Sequence, residues 1–496
     1  MNQAFAEYLK LAQKNINQKQ WQEAKINFQK AIQIQPNRWD IYYNLGIISL
    51  KQQQYKKAVD NFQQSILLQP NYANAHNNLG KAFLKLNLVD NAVQSFIKAI
   101  NIDKNNPHFY FDLGEGLIQK QLIAQALECF RQSVKLKPKN YELQFQLGNA
   151  FRNQGSLQEA LNCFCRSIQL NPNYSPAYIS LKYIDLEPEW RTCLIDFYRQ
   201  ILKANPQLPD ALSNLAEILT SQDTLAEAIT ISRQAIYLKT TNENPDLPYF
   251  NWQTEKNQAP DFIIIGVGKC GTTSLYNYLG YHPQILLPNK KELRFFDKNF
   301  AYGYEWYLAQ FPAITDSLDL LTGEASPAYF FSPNVPQRLK NFAPHVKLIV
   351  MLRNPVERSI SSYYQQKKTG RNHKTLEEAI KEEIQRLEQQ TETELSYQGS
   401  LLSQSLYYYK LKRWMKIFPK QQFLILKSED FFSNTNQSMQ EVFAFLDLPN
   451  IQNHSYQKHN VGNYPPVADN IKNQLGDFFA AHNQRLEEFL QKDFYW

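Results

Sequence analysis

The N-terminal half of the chain repeats one pattern of small, apolar and proline residues with a period of 34. Similar segments recur as EAKINFQKAIQIQPN, KAVDNFQQSILLQPN, QALECFRQSVKLKPK and EALNCFCRSIQLNPN. The same period spaces a set of glycines (Gly46, Gly80, Gly114 and Gly148) and a set of prolines (Pro36, Pro70, Pro138, Pro172 and Pro206). Glycine lets neighbouring helices approach closely, and proline ends a helix because it has no N–H to donate. A period of this length predicts stacked units of two helices each.

The spacing, together with an aromatic residue such as Phe62 or Phe130 in each second helix, resembles the tetratricopeptide repeat (TPR). The resemblance implies an all-α superhelix. The register gives about seven repeats to residue 240, with the sixth degenerate because Leu194 and Lys182 stand at its small positions. Stacked repeats leave a concave groove, in which we expect a peptide, a protein partner or the molecule that carries the substrate. A spacer or an oligomerisation arm is the alternative.

Residues 241–260 interrupt the period with a polar, proline-containing segment that is typical of a linker. We therefore predict three parts, namely a repeat domain at 1–240, a linker at 241–260 and a second domain at 261–496.

The overall composition excludes several classes of protein. The chain of 496 residues contains no run of about 18 apolar residues, so we expect no membrane span. Its N-terminus lacks the pattern of a secretory signal, which indicates a cytoplasmic location. Five scattered cysteines argue against a disulfide framework or a zinc site, and no other cluster implies a metal. A net charge of +7 is mild for this length and does not indicate nucleic-acid binding.

The C-terminal half begins with a strand, a glycine-rich loop and a helix. DFIIIG predicts a buried parallel strand, and TTSLYNYL has helical spacing with Gly280 as its end. The loop GVGKCGT between them would cradle an anion, with Lys269 neutralising a bound phosphate. It differs from the loop of nucleotide triphosphatases, because Thr272 stands where that pattern has its lysine. A tight turn with a solvated lysine is the alternative.

A second buried strand is predicted at residues 346–352, again followed by a helix. Asn354 and Pro355 suit the N-cap and the first helical position, and Glu357 completes a capping arrangement. Arg353, where the strand ends, would offer a bidentate fork to a phosphate, and Ser361 would add a hydroxyl. A surface ion pair is the alternative for Arg353.

Several segments, taken in order, resemble the PAPS-dependent sulfotransferases, where PAPS is 3′-phosphoadenosine 5′-phosphosulfate. They are IIIGVGKCGTTSL, KELRFFD, WYLAQFP, GEASPAYFFSP, LRNPVERSISSYY and SLYYYKLKRWMKIFP, and the similarity is greatest to the heparan sulfate branch. The resemblance covers about residues 260–496. It implies a P-loop-like α/β domain, with a parallel sheet flanked by helices, behind the α-helical repeats.

The resemblance also implies roles for individual residues. Lys269 and Glu292 would be catalytic, Lys269 stabilising charge on the bridging oxygen and Glu292 taking the proton of the acceptor hydroxyl. A salt bridge with a neighbouring cation is the alternative for Glu292. The donor would be held without a metal by the first loop, by the second strand end and by a late loop, at Gly268, Lys269, Cys270, Gly271, Thr272, Thr273, Ser274, Arg353, Ser361, Lys458 and Gly462.

Three departures from the family pattern qualify this assignment. Ala325 stands where the glycan-modifying relatives have a lysine, and beside it Glu324 is either a second active-site carboxylate or, as we favour, a residue that orients a cation. In the late loop, Lys458 and Gly462 are available in altered order. No cysteine follows Cys270, so the disulfide of secreted relatives cannot form.

The sequence thus predicts sulfuryl transfer to a hydroxyl of a carbohydrate or glycoconjugate, with the repeats recruiting a partner or the acceptor. Two alternatives stay open. One is a tyrosylprotein or small-molecule sulfotransferase. The other is an inactive TPR interaction scaffold.

Overall fold

The computed structural model of the chain describes residues 2–184, 187–246, 259–313, 319–397, 399–451, 456 and 464–496. Contacts divide the chain into two compact units, Met1–Pro206 and Gln207–Trp496. The first unit is helical, and the second contains a parallel sheet flanked by helices. The predicted fold class is therefore confirmed.

The first unit is a series of helical pairs. Its helices are α1 (Asn2–Asn17), α2 (Trp21–Ile34), α3 (Trp39–Lys51), α4 (Tyr55–Leu68), α5 (Ala73–Lys85), α6 (Val89–Ile102), α7 (Pro107–Gln119), α8 (Ile123–Leu136), α9 (Tyr141–Gln154), α10 (Leu157–Leu170), α11 (Ser175–Lys182) and α12 (Pro188–Ala204). The pair α11 and α12 is irregular, with a first helix of only 8 residues. There Tyr178 stacks on Tyr198, at 6.2 Å between ring centroids.

Each repeat glycine lies against an aromatic ring of the following helix. A Cβ added at Gly114 would lie 2.7 Å from Cε1 of Phe130, and Gly46, Gly80 and Gly148 face Phe62, Phe96 and Phe164 in the same way. Such contacts are closer than packed atoms allow, so the repeat requires glycine at this position.

The second unit begins with one more helical pair, α13 (Pro209–Ser221) and α14 (Leu225–Glu243). Leu225 and Ile229 of α14 pack against the main hydrophobic core of this unit. The division between the units therefore falls one helical pair before residue 240. The predicted limits 1–240, 241–260 and 261–496 stay a prediction, and residues 247–258 of the linker lie outside the described residues.

Five parallel strands form the sheet of the second unit. They are β1 (Phe262–Gly266), β2 (Ile285–Leu286), β3 (Leu321–Ala325), β4 (Lys347–Leu352) and β5 (Phe423–Lys427), in the order β2-β3-β1-β4-β5. In the central strand, Ile264 pairs with Ala325 on one side and with Ile349 on the other. Because the carboxyl ends of parallel strands meet at one edge, the loops that follow the strands gather there.

Helices cover the sheet and complete the second unit. They are α15 (Thr272–Leu279), α16 (Gly303–Leu308), α17 (Val335–Phe342), α18 (Pro355–Lys368), α19 (Leu376–Glu388), α20 (Glu392–Tyr397), α21 (Tyr407–Met415), α22 (Ser428–Ser433), α23 (Thr435–Phe445) and α24 (Asp469–Leu490). No helix of the described residues is both long and apolar enough to cross a membrane.

Local sequence signals position the elements around the gathered loops. All five residues of β1 are buried, as the apolar run predicts. Asn354 caps α18, its side-chain oxygen accepting hydrogen bonds from the backbone N–H groups of Val356 (2.9 Å) and Glu357 (3.3 Å). These observations confirm the strand and Asn354 as the N-cap. Glu357 does not complete the cap, because the backbone N–H of Asn354 donates to Oε1 of Glu429 at 2.9 Å instead.

We predict that Gly114→Ala lowers the thermal unfolding temperature, because the new methyl group must displace the ring of Phe130. Overpacking of this kind costs about 1–3 kcal/mol. The control is Gly476→Ala in α24, where an added Cβ meets no atom within 4 Å. It should leave the unfolding temperature unchanged or raise it, since alanine is the better helix former. Equal effects of the two substitutions in a melting experiment would contradict the prediction.

Candidate active site

The loop between β1 and α15 is shaped by glycines with different surroundings. Gly271 is the N-cap of α15 and has a left-handed backbone, with φ of 95°. A Cβ there would lie 2.9 Å from the ring of Phe432, so no larger residue fits. At Gly268 an added Cβ would meet no atom within 4 Å. Within the described residues no side chain caps the first turn of α15. The loop therefore presents backbone N–H groups of a helix N-terminus, which favours an anion.

A buried arginine of α18 forms a hydrogen bond with the backbone of this loop. The Arg358 side chain is 1% exposed, and its Nε donates to the carbonyl oxygen of Gly268 at 3.2 Å. Its Nη1 donates to the carbonyl oxygen of Leu401 at 2.8 Å and to Oγ of Ser405 at 3.3 Å, and its Nη2 bonds the side chain of Gln404. A buried charge requires such partners. Arg358 thereby links the loop to residues 401–405.

The structure brings Lys269 to the helix that carries Ser361. Nζ of Lys269 donates to Oε1 of Gln365 at 2.5 Å. Gln365 lies one turn after Ser361, so the two share a helix face. Nη1 of Arg353 donates to the backbone oxygen of Lys269 at 3.3 Å. Two sequence-predicted residues, Lys269 and Arg353, are therefore in contact, and Ser361 lies one helical turn from the partner of Lys269.

Positive charge is concentrated at this loop. Burial lowers the pKa of Lys269, and the nearby cations Arg358 and Arg353 lower it further. Arg353 also forms a 3.7 Å ion pair with Glu357, a half-exposed contact that contributes little. Three cations around a helix N-terminus create a field that favours a bound anion.

The other predicted residues of the first loop are largely turned inward. Cys270 is buried, burial raises the pKa of its thiol to about 12, and its backbone oxygen accepts a 2.8 Å hydrogen bond from Oγ of Ser428. Thr272 and Ser274 are also buried, whereas Thr273 is half-buried. The side chain of Cys270 therefore packs in the interior behind the loop.

Glu292 lies on the segment after β2, with its carboxylate half exposed. Its side chain is 49% exposed, and Oε1 accepts a 2.7 Å hydrogen bond from Nζ of Lys291. Its backbone N–H donates to the carbonyl oxygen of Ala325 at 3.0 Å, which ties Glu292 to the end of β3. The ion pair that was the alternative for Glu292 is thus present, and it leaves one carboxylate oxygen for other contacts.

Glu324 is buried among hydroxyl groups. Its carboxylate accepts hydrogen bonds from Tyr307 (2.7 Å), Ser326 (2.7 Å) and Tyr329 (3.0 Å). In the part of the chain that the structure describes, these partners are hydroxyls, and our expectation that Glu324 orients a cation is not met. The sequence could not show this because Tyr307 comes from a separate helix.

The same hydroxyls hold the segment that carries Glu292. Oγ of Ser326 accepts from the backbone N–H of Arg294 at 3.2 Å, and the hydroxyl of Tyr329 accepts from that of Phe295 at 2.8 Å. Glu324 therefore supports the backbone just after Glu292 through two intermediaries.

Sequence reasoning missed Arg358, although a signal was present. The buried positions of α18 are Pro355, Arg358, Ser359, Ile360, Ser362 and Tyr363. Most of them follow the spacing of one helix face, and Arg358 falls on that face at the third position after Pro355. A charged residue on a buried face indicates specific partners.

Two of the predicted donor residues belong to the late loop. Lys458 and Gly462 lie outside the described residues. Among the residues that are described, no group of three or more His, Cys, Asp or Glu side chains is placed to hold a metal ion.

Comparison with known families agrees with this organisation. Residues 259–490 match the family model described as sulfotransferase domain. Models of the tetratricopeptide repeat match residues 27–60, 48–87, 73–106 and 111–175. The chain therefore carries a sulfotransferase domain preceded by TPR repeats.

Individual relatives match the C-terminal half. A membrane-associated sulfotransferase, kil1, of Dictyostelium discoideum is 30% identical over an alignment of 313 positions, and the match covers 48% of this chain and 66% of that protein. Heparan sulfate glucosamine 3-O-sulfotransferase 5 of Mus musculus is 35% identical over 195 residues, 39% of this chain and 54% of that protein. The chain thus spans only about half to two thirds of these relatives. A crystal structure of a sulfotransferase from Alicyclobacillus acidocaldarius is 28% identical, with a TM-score of 0.40, over 48% of this chain and 97% of that one.

The buried carboxyl group of Glu324 gives a prediction about pH. Burial raises its pKa from 4.5 to about 7. Between these values the folded chain holds a proton that the unfolded chain has released, so this contribution to stability is complete below pH 4.5 and is lost as the pH rises through about 7. The loss amounts to about 3 kcal/mol.

We therefore expect Glu324→Gln to flatten the decline of the unfolding temperature between about pH 5 and pH 8. The control is Glu441→Gln, which changes an exposed carboxylate of α23 and should keep the wild-type slope. Melting curves at several pH values measure both. An unchanged slope in Glu324→Gln would contradict the assignment.

Proposed function

We propose that this chain, which carries a sulfotransferase domain behind TPR repeats, transfers a sulfuryl group from PAPS to a hydroxyl of a carbohydrate or glycoconjugate. The observation that carries the proposal is the convergence of Lys269, Arg353 and Arg358 on one glycine loop at a helix N-terminus. Such a site suits a ligand with several anionic groups.

The residues around the loop fit a donor with two separated anionic groups. Lys269, Gly271 and the first turn of α15 would hold the 5′-phosphosulfate, because that loop has open space at Gly268 and several cations close together. Arg353 and Ser361 would hold the 3′-phosphate from the start of α18. We propose Lys458 and Gly462 as further donor contacts. PAPS supplies the sulfuryl group, and no metal is needed.

Glu292 is proposed as the general base of the transfer. Its carboxylate accepts the proton of the acceptor hydroxyl as the acceptor oxygen forms a bond to sulfur. The bond from sulfur to the bridging oxygen of the donor breaks at the same time, and Lys269 stabilises the negative charge left on that oxygen. The half-exposed position of Glu292 suits this role because an acceptor can reach it from solvent.

A carbohydrate acceptor is supported by the relatives and by the charge near Glu292. One relative is described as a heparan sulfate glucosamine 3-O-sulfotransferase, and Lys291 lies beside the base, where it would bind an anionic or polyhydroxyl group. Ala325, in place of the lysine of glycan-modifying relatives, makes a heparan-like acceptor the weaker choice within this class. Tyrosylprotein or small-molecule acceptors are the alternative.

For the repeats we propose a protein partner or a peptide, because TPR superhelices bind such ligands along their concave face. We also propose that the chain works in the cytoplasm. The support is that all five cysteines are free thiols, as a reducing compartment requires.

The direct test is transfer of radiolabelled sulfate from PAPS to a panel of glycans, tyrosine peptides and phenols. We predict that Glu292→Gln lowers kcat by about 10²- to 10⁴-fold, the usual contribution of a general base, while the Kd for 3′,5′-ADP stays unchanged. Lys269→Met should lower both kcat and the affinity for 3′,5′-ADP. Glu441→Gln, at an exposed position on α23, is the control and should be fully active.

Two outcomes would overturn the proposal. Full activity of Glu292→Gln would remove Glu292 as the base. No transfer to any acceptor by the wild type, together with no binding of 3′,5′-ADP, would favour the inactive scaffold.

A further inference from the structure

The helical pair α13 and α14 is built into the core of the second unit. Nε1 of Trp306 donates to Oγ1 of Thr220 at 3.0 Å, and both residues are buried. Leu225 and Ile229 pack against the core of this unit. Buried apolar packing combined with a satisfied polar contact fixes the pair firmly to α16 and its surroundings.

Further polar contacts of this pair fall on two segments, Asn289 and Lys290 just before Glu292, and Gln310 just after α16. On one side, Nζ of Lys290 forms a 2.5 Å ion pair with Glu217, and the side chains of Asn289 and Ser213 are hydrogen-bonded. On the other side, Nε2 of Gln310 donates to Oγ of Ser232 at 3.3 Å. The two segments also bond each other, because the backbone N–H of Asn289 donates to the carbonyl oxygen of Gln310 at 3.2 Å.

Two adjacent lysines have different ion-pair partners in this arrangement. Lys290 is directed to Glu217 of α13, whereas Lys291 is directed to Glu292. The backbone that follows these two lysines is unusual. Glu292 and Arg294 both have left-handed φ angles, of 65° and 54°. Residues other than glycine hold such angles only when their surroundings impose them. The bonds that hold these two backbone N–H groups come from the end of β3, at Ala325 and Ser326. The contacts with α13 hold Asn289 and Lys290, which come just before them.

We propose that α13 and α14, although the repeat period assigns them to the superhelix, form a positioning element of the transfer site. Through Glu217 and its partner Lys290 they fix the segment that presents Glu292 to the acceptor hydroxyl. This inference rests on the proposed function for its catalytic consequence. Its structural content, that the pair fixes residues 288–299, does not depend on that function.

Reversal of the ion pair in the full-length chain tests the inference. Glu217→Lys and Lys290→Glu each place like charges together and should lower kcat/KM for the acceptor by about three- to fivefold, because a half-exposed ion pair contributes little energy but a small displacement of a reacting group still reduces the rate. The KM for PAPS should change less than about twofold, since the donor loop is held by other residues. The double variant restores opposite charges and should recover most of the lost activity.

A second readout needs no activity. Hydrogen exchange of the backbone amides in residues 288–299 should be faster in each single variant and return toward wild type in the double variant. The matched control is Asp90→Lys, which reverses the 2.6 Å pair between Asp90 and Lys120 of the first unit. It should leave both readouts unchanged.

The outcomes separate the two proposals. Wild-type exchange and wild-type kcat/KM in Glu217→Lys and Lys290→Glu, or no recovery in the double variant, would overturn the positioning role. If the wild type transfers sulfate to no acceptor, the proposed function fails, and hydrogen exchange alone decides whether α13 and α14 fix the segment.

Discussion

The hydrogen bonds of the buried guanidinium group of Arg358 are the contacts on which the loop between β1 and α15 depends. The group joins the carbonyl oxygen of Gly268 to residues 401–405, so the loop, α18 and that segment form one body. Removing its partners would leave a buried charge uncompensated, which is far more costly than the loss of an exposed pair. The loop therefore has little freedom to rearrange. That rigidity keeps the cations Lys269 and Arg353 close together at a helix N-terminus, an arrangement that favours a bound anion.

The candidate base is supported from two directions with different chemistry. From β3, the buried carboxyl group of Glu324 orders Ser326 and Tyr329, which accept the backbone N–H groups just after Glu292. From α13, Glu217 forms an ion pair with Lys290, two residues before Glu292. The donor loop, in contrast, is held by Arg358. The donor side and the acceptor side of the proposed site thus rest on separate sets of contacts, and substitutions affecting one side should leave the other intact.

Features encoded locally could be predicted from the sequence, whereas features that depend on distant partners could not. The strand ending at Leu352, the N-cap at Asn354 and the repeat glycines follow from adjacent residues or a fixed period. The partners of Arg358 lie more than 40 residues away, at Leu401 and Ser405. The repeat period likewise describes how α13 packs on α14 and says nothing about which neighbours cover their other faces. The fold and the loop residues were therefore accessible from sequence, and the supporting contacts were not.

Calorimetric titration of the full-length chain with 3′,5′-ADP, 5′-AMP and Mg²⁺-ATP tests the central claim most directly. If the loop and Arg353 bind a nucleotide with separate 5′ and 3′ anionic groups, 3′,5′-ADP should bind at least about tenfold more tightly than 5′-AMP, the gain expected from one charge-assisted hydrogen bond. Mg²⁺ should give ATP no advantage. Tighter binding of Mg²⁺-ATP than of 3′,5′-ADP would contradict the account and indicate a nucleotide triphosphatase site instead.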